Sequence, residues 1–189
     1  MSAIKNRFEA LRFREDVGLE SRQLPSHSED RAKAFRLSLL SRGIAVTREI
    51  FPALHSAFDS VEQQLKLSNP IDGFVFPDPV FNASCARISE GDGFSVIVSS
   101  GLVEALSVDE MKYVIGHEVG HYLFDHHLIN DPESANNPAE ALGLLRLSRA
   151  AEISADRIGF ICCPEENIVA QAMIKTASGL SSRHIRFDT

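Results

Sequence analysis

Five consecutive residues, His117-Glu118-Val119-Gly120-His121, constrain this chain more than any other stretch. They form an HExxH pattern, the one dense cluster of metal-ligating side chains in the sequence. On a helix, two imidazoles four residues apart share a face, one turn above the other. Both can then grip one zinc ion. Glu118 beside them is placed to take a proton from a water that zinc activates. A catalytic zinc site normally has three protein ligands, so the pattern also demands a further ligand from elsewhere.

The flanking residues predict the helix. Ser107-Val108-Asp109-Glu110 is a capping box that starts it about ten residues before the motif. Met111, Val114, Ile115, Val119, Tyr122 and Leu123 give it a broad apolar surface, as a helix buried on most sides has. Gly116 and Gly120 each cost about 1 kcal/mol relative to Ala in a helix interior. Two such residues in one buried helix predict close approach by a neighbouring element. After a loop over Asn130 to Asn137, Asn137 caps a second long helix with Pro138 at its first position and Glu140 in its first turn. That helix runs to about Cys162, before Pro164. A last helix spans about Glu165 to Ala177 and ends near Gly179.

Upstream, residues 1 to about 66 read as helical. Ala32, Phe35, Leu39, Leu40 and Ile44 follow a helical spacing that Gly43 interrupts. A further helix is expected from Pro52 to Leu67, with Leu54, Phe58, Val61 and Leu65 on one stripe. Strand-like sequence follows in Phe74-Val75-Phe76, Val80 to Ile88 and Phe94 to Val98. The last two are expected to form a hairpin around Glu90-Gly91-Asp92-Gly93. Gly101 to Leu106 reads as a short helix. The expected fold is therefore α+β and mainly helical, with a small sheet and two crossing ligand helices. Residues 1–69 are expected to form a helical region packed on a metallopeptidase-like core of residues 70–189.

Two residues compete for the third ligand. His127 completes the spacing HExxHxxGxxH, but Phe124 stands where that pattern needs Gly to leave the helix. An unbroken helix would carry His127 about 9 Å further along the axis. His126 and His127 then read as surface or supporting residues at a helix C-terminus, where cationic His is favoured. The other candidate is Glu152, in Glu152-Ile153-Ser154-Ala155-Asp156 on the second helix. Asp156 lies one turn beyond it on the same face, in position to hydrogen-bond a ligand His and fix its tautomer. Against this stands the plain reading of a surface pair near Arg149 and Arg157.

The HExxH with ExxAD pairing, together with Asn82-Ala83, Phe94 to Val98, Gly101-Leu102, Asp109-Glu110 and His126, resembles the HtpX-like and CAAX prenyl protease 1 zinc metallopeptidases. It covers roughly half the chain. The resemblance implies a gluzincin site with zinc ligands His117, His121 and Glu152, a catalytic Glu118 and a supporting Asp156. It further implies that the strand at Asn82 and Ala83 pairs with an extended peptide substrate. Relatives carry a His-Pro element and a later Arg after the ligand helix. Here His184 is followed by Ile185 and Arg186, so His184 is a candidate oxyanion donor, with Tyr122 as the alternative. Many relatives have transmembrane helices, and this chain has no apolar run of that length.

The net charge of −7 argues against general nucleic-acid binding. Three Cys residues, two of them adjacent, do not form a disulfide framework. The first residues lack the apolar core of a secretory signal, so a cytoplasmic protein is expected. The function expected is a soluble zinc endopeptidase acting on protein or peptide. The alternatives are a zinc-stabilised interaction module and a latent protease held shut by its N-terminal helices.

Overall fold

The structure is a computed structural model that describes residues 37–87 and 93–185. The expected helical positions Ala32 and Phe35, and most of the Glu90-Gly91-Asp92-Gly93 turn, lie outside the described residues.

A helical segment over residues 37–42 stops before Gly43, whose amide closes back on the Leu39 carbonyl at 2.7 Å. Ile44–Ala45 then form strand β1, not the continued helix expected there. Gly43 has no room for a side chain, since a Cβ would sit 2.3 Å from the Phe76 ring. That close approach turns the chain into the sheet. Helix α1 (Pro52–Leu65) follows, buries Leu54, Ala57, Phe58, Val61 and Leu65, and ends at Lys66 in the left-handed region. Each large apolar side chain on that stripe contributes roughly 1.5–3 kcal/mol of burial.

Strands β2 (Asp72–Phe76), β3 (Ala83–Arg87) and β4 (Phe94–Ser99) complete a four-stranded sheet of order β1-β2-β4-β3. β3 and β4 pair antiparallel, as the hairpin reading expected, with Ala83 opposite Val98. β2 pairs parallel to β4, with Phe74 opposite Ile97. β3 starts at Ala83 and not at Val80. The Asp78 carboxylate accepts from the Val80 amide at 2.9 Å, and this turn leaves Val80 exposed. β2 and β4 are buried through their central residues, which suits the uninterrupted apolar run each carries.

Helix α2 (Ser100–Ala105) leads directly into α3 (Val108–Leu123), the helix of the HExxH motif. The capping box is present. Ser107 Oγ accepts from the Glu110 amide, and Glu110 Oε2 accepts from the Ser107 amide at 2.6 Å. α3 sits at the centre and packs against α1, β3, α4 (Pro138–Cys162) and α5 (Glu166–Ser178). α4 and α5 fall where the sequence puts them, with Asn137 as cap and Gly179 in the left-handed C-cap position (φ 68°). The protein is thus α+β and mainly helical, with two helices crossing at the motif.

The glycines explain that crossing. A Cβ on Gly116 would lie 2.7 Å from Cys162 Sγ and 3.1 Å from the Gly159 Cα, and one on Gly120 would lie 2.9 Å from the Ala155 Cα. Small residues on both helices let their backbones meet there. That contact brings residues 152–156 of α4 to the His face of α3.

Candidate metal centre

The three expected ligands converge. His117 Nε2 lies 3.0 Å from His121 Nε2 and 3.4 Å from Glu152 Oε2, and His121 Nε2 lies 3.7 Å from Glu152 Oε1. Donors about 2.05 Å from a tetrahedral zinc stand about 3.3 Å from one another, so these spacings bracket that geometry. Among the described residues, this His-His-Glu trio is the group whose ligand atoms lie close enough to share a metal ion.

The surrounding hydrogen bonds fix the tautomers. His117 Nδ1 donates to Asp156 Oδ1 at 2.9 Å, which leaves the His117 Nε2 lone pair free. Asp156 Oδ1 also accepts the Tyr113 hydroxyl proton at 2.8 Å. His121 Nδ1 lies 2.9 Å from His126 Nδ1, His126 Nε2 lies 3.1 Å from Ser154 Oγ, and Ser154 Oγ donates to the Ala151 carbonyl at 2.8 Å. Because the serine proton is committed to Ala151, Ser154 Oγ accepts from His126 Nε2–H. His126 Nδ1 must then accept from His121 Nδ1–H. Both ligand imidazoles therefore carry their proton on Nδ1 and present bare Nε2 lone pairs to each other at 3.0 Å. Two lone pairs so close, with a carboxylate beside them, repel unless a positive charge, a metal ion or a shared proton, lies between them. The donor set of two imidazoles and one carboxylate is one that zinc accepts.

The same contacts set the protonation of these groups. Burial opposes charge on His117, but the Asp156 hydrogen bond and the nearby carboxylates outweigh it and raise its pKa. Burial also pushes the Asp156 carboxyl up, and the hydrogen bonds from His117 and Tyr113 more than reverse this. Burial and the adjacent His117 depress His121 to about 4. Burial, with His121 and His117 nearby, depresses His126 to about 3. Of the two readings of His126, surface or supporting, the structure favours the second: His126 is a buried, neutral hydrogen-bonding partner of His121, not a cationic residue at the helix end. The turn that brings it there is made by Asp125 in the left-handed region (φ 56°), one residue after Phe124. His127 is exposed and stands outside the ligand trio.

Glu118 is half-buried, and burial raises its carboxyl to about 6, against the lowering effects of His117 and a hydrogen bond from the Cys85 amide. That amide belongs to β3, which has a sheet neighbour on one side only among the described residues. The Ser99 amide donates to the Asn82 carbonyl at 2.9 Å, and the Asn82 amide donates to Ser99 Oγ at 3.1 Å. Antiparallel alternation then turns the backbone groups of Ala83 and Cys85 outward. Asn82, Ala83, His117, Glu118 and Glu152 all line one cleft of about 300 Å³, which α5 closes with Met173, Thr176 and Ala177.

The remaining candidates lie elsewhere. Tyr122 is buried with its ring stacked on Phe94, centroids 4.0 Å apart, and is not part of the cleft lining. His184 is exposed in the turn after α5, and it too lines no part of the cleft. Tyr113 and Ser154 are functional neighbours that sequence reading missed. Tyr113 had a usable signal, since it precedes His117 by one helical turn on the same face.

Comparison with known proteins places these residues in context. Residues 51–135 match Peptidase family M48. The chain is 27% identical over 160 residues to the plastoglobule-localized metallopeptidase 48, chloroplastic, of Arabidopsis thaliana. That alignment covers 77% of this chain and 46% of the relative, so the chain spans about half the length of the curated relative it matches. The chain is thus similar to peptidase family M48 over residues 51–135 and to one metallopeptidase over most of its own length.

Proposed function

We propose that this chain is a zinc-dependent endopeptidase with Glu118 as its general base. The observation that carries the proposal is the pair of bare Nε2 lone pairs, 3.0 Å apart beside Glu152, whose tautomers are fixed from behind by Asp156 and His126. The match to a peptidase family supports the same reading. His117, His121 and Glu152 would hold the ion. Bound there, zinc would supply a Lewis acid for a scissile carbonyl and for the attacking water. The outward edge of β3 at Ala83 accepts an extended peptide as an added strand. Glu118 takes the proton from the attacking water and returns it to the leaving amine. Its raised pKa suits that exchange, because a base near the operating pH both accepts and releases a proton readily. The Tyr113 hydroxyl, donated to Asp156, holds that carboxylate in place behind His117. The three cysteines are all free thiols, which favours a reducing compartment such as the cytoplasm. No helix among the described residues is long and apolar enough to cross a membrane.

Zinc-loaded Glu118→Gln tests the proposal against an unfolded protein such as casein. The expected result is hydrolysis slowed at least about a hundredfold, with zinc content unchanged. Turnover equal to the parent protein would remove Glu118 from the mechanism. The pH profile adds a second constraint. Glu118 is a base only when ionised, so kcat/KM should fall as pH drops through its pKa. A bound cation pulls that pKa down, so the acid limb should lie at or below about pH 6. A limb well above that value would point to a different base.

A further inference from the structure

The outer face of α4 carries large apolar side chains that no other element among the described residues covers. Ile153 and Phe160 are seven residues apart, hence two turns apart on one side, and are 47% and 38% exposed. Met173 on α5 faces the same space and is 45% exposed. Ile161 and Val169 help line this groove of about 510 Å³ between the two helices. The groove joins the metal cleft, because Tyr113, Asp156 and Met173 line both. Its far wall is held firmly. Lys175 of α5 reaches the start of α3, where Nζ donates to Glu110 Oε2 at 2.8 Å, stands 2.6 Å from Oε1, and both side chains are only 3% exposed. A preformed apolar groove opening into a candidate active site has the attributes of a ligand subsite.

We propose that this α4–α5 groove is an exosite that seats an apolar segment of the polypeptide substrate, beyond the residues held at the metal. The proposal rests on the peptidase reading above. Continuity with the cleft selects a polypeptide as occupant, since a chain lying at the metal passes directly over the shared residues. A bilayer surface would not enter a concave groove. Phe160 lies eight residues beyond Glu152, about 12 Å along α4. An extended chain covers that distance with about four residues. A substrate must therefore continue about four residues past the metal on that side and carry bulky aliphatic or aromatic side chains there. Arg157 at the rim disfavours a further cationic side chain.

The test uses fluorescently labelled β-casein, an extended and apolar-rich chain, with the full zinc-loaded protein carrying Glu118→Gln. Phe160→Asp and Ile153→Asp, both at exposed positions, should each weaken β-casein binding about tenfold, seen by anisotropy. On the Glu118 background they should lower kcat/KM more for β-casein than for a short peptide spanning the cleaved bond. No β-casein binding, or affinity unchanged in both variants, overturns the proposal. So does loss of binding to phosphatidylglycerol vesicles, or of self-association, in those variants while β-casein affinity stays the same. Groove-dependent β-casein binding by a protein that hydrolyses nothing would support the groove and defeat the peptidase reading. Hydrolysis with groove-independent affinity would do the reverse.

Discussion

The two helices that carry the proposed metal ligands are built in opposite ways. α3 is short and surrounded, and its 16 residues include buried positions from Glu110 to Leu123. Its start is fixed by a reciprocal cap and a buried ion pair. α4 has 25 residues, yet none before Ala151 is buried. Its first half is held chiefly by the Asn137 cap and the turn at Glu140. The ligands follow this difference. The side chains of His117 and His121 are 19% and 24% exposed, whereas that of Glu152 is 59% exposed. Glu152 stands where α4 emerges from the core. α3 therefore presets two proposed ligands and the proposed base, and α4 adds a more exposed carboxylate, with the Asp156 contact to His117 one turn later.

The largest effect expected from breaking this contrast is at the anchored end of α3. Lys175→Met leaves Glu110 buried without its cation, which costs about 3–5 kcal/mol. Urea unfolding should show the loss as a lower midpoint, and a change under 1 kcal/mol would mean that the pair does not hold α5 to α3. Next comes the helix crossing. Gly120→Ala puts a methyl group 2.9 Å from the Ala155 Cα, a backbone atom that cannot move without shifting α4. The overpacking costs about 1–3 kcal/mol. It should also weaken zinc binding, because Ala155 lies between Glu152 and Asp156. Equal zinc affinity would show that the crossing distance does not control the third ligand. Asp156→Asn probes the same closure more gently. It keeps the shape but loses the charge behind His117, and zinc affinity should fall about 10- to 100-fold by competition with a chelating dye.

What was legible in the sequence was local. The Ser107 capping box, the Asn137-Pro138 start and the Gly179 stop each satisfy backbone groups within four residues, so each could be read from a short window. Gly116 and Gly120 could be read as a close approach because glycine has little other reason to sit in a buried helix. Glu152 and Asp156 share a helix face by their spacing, but the spacing is common, and it was the preceding HExxH helix and the family resemblance that singled them out. The remainder depends on contacts between distant residues. The parallel pairing of β2 with β4, and β1 at Ile44–Ala45, have no local signature, because pairing depends on which strand arrives alongside. The Glu110–Lys175 pair spans 65 residues, and either residue alone looks like ordinary helix surface. His126 was read as a surface or a supporting residue, and the contact with His121 that decides for the second depends on how the chain leaves α3. The chain turns at Asp125, a residue type that tolerates the left-handed region.

The smallest expected effect gives the sharpest version of the comparison, because its sign reverses. Gly143 sits in the uncovered half of α4, and a Cβ placed there would meet nothing within 4 Å. With no steric cost in the folded state, only the intrinsic helix preference and the entropy of the unfolded chain remain. Gly143→Ala should therefore stabilise the protein by up to about 1 kcal/mol. The same substitution at Gly120 should destabilise it. The two variants add an identical methyl group to two helices of one protein, so propensity alone predicts the same sign for both. Thermal unfolding of the pair separates the explanations. A raised midpoint for Gly143→Ala beside a lowered one for Gly120→Ala is the result expected if packing at the crossing governs α3 and its absence governs this half of α4. A destabilised Gly143→Ala would mean that the first half of α4 is covered by another part of the protein, and the contrast between the two helices would not hold.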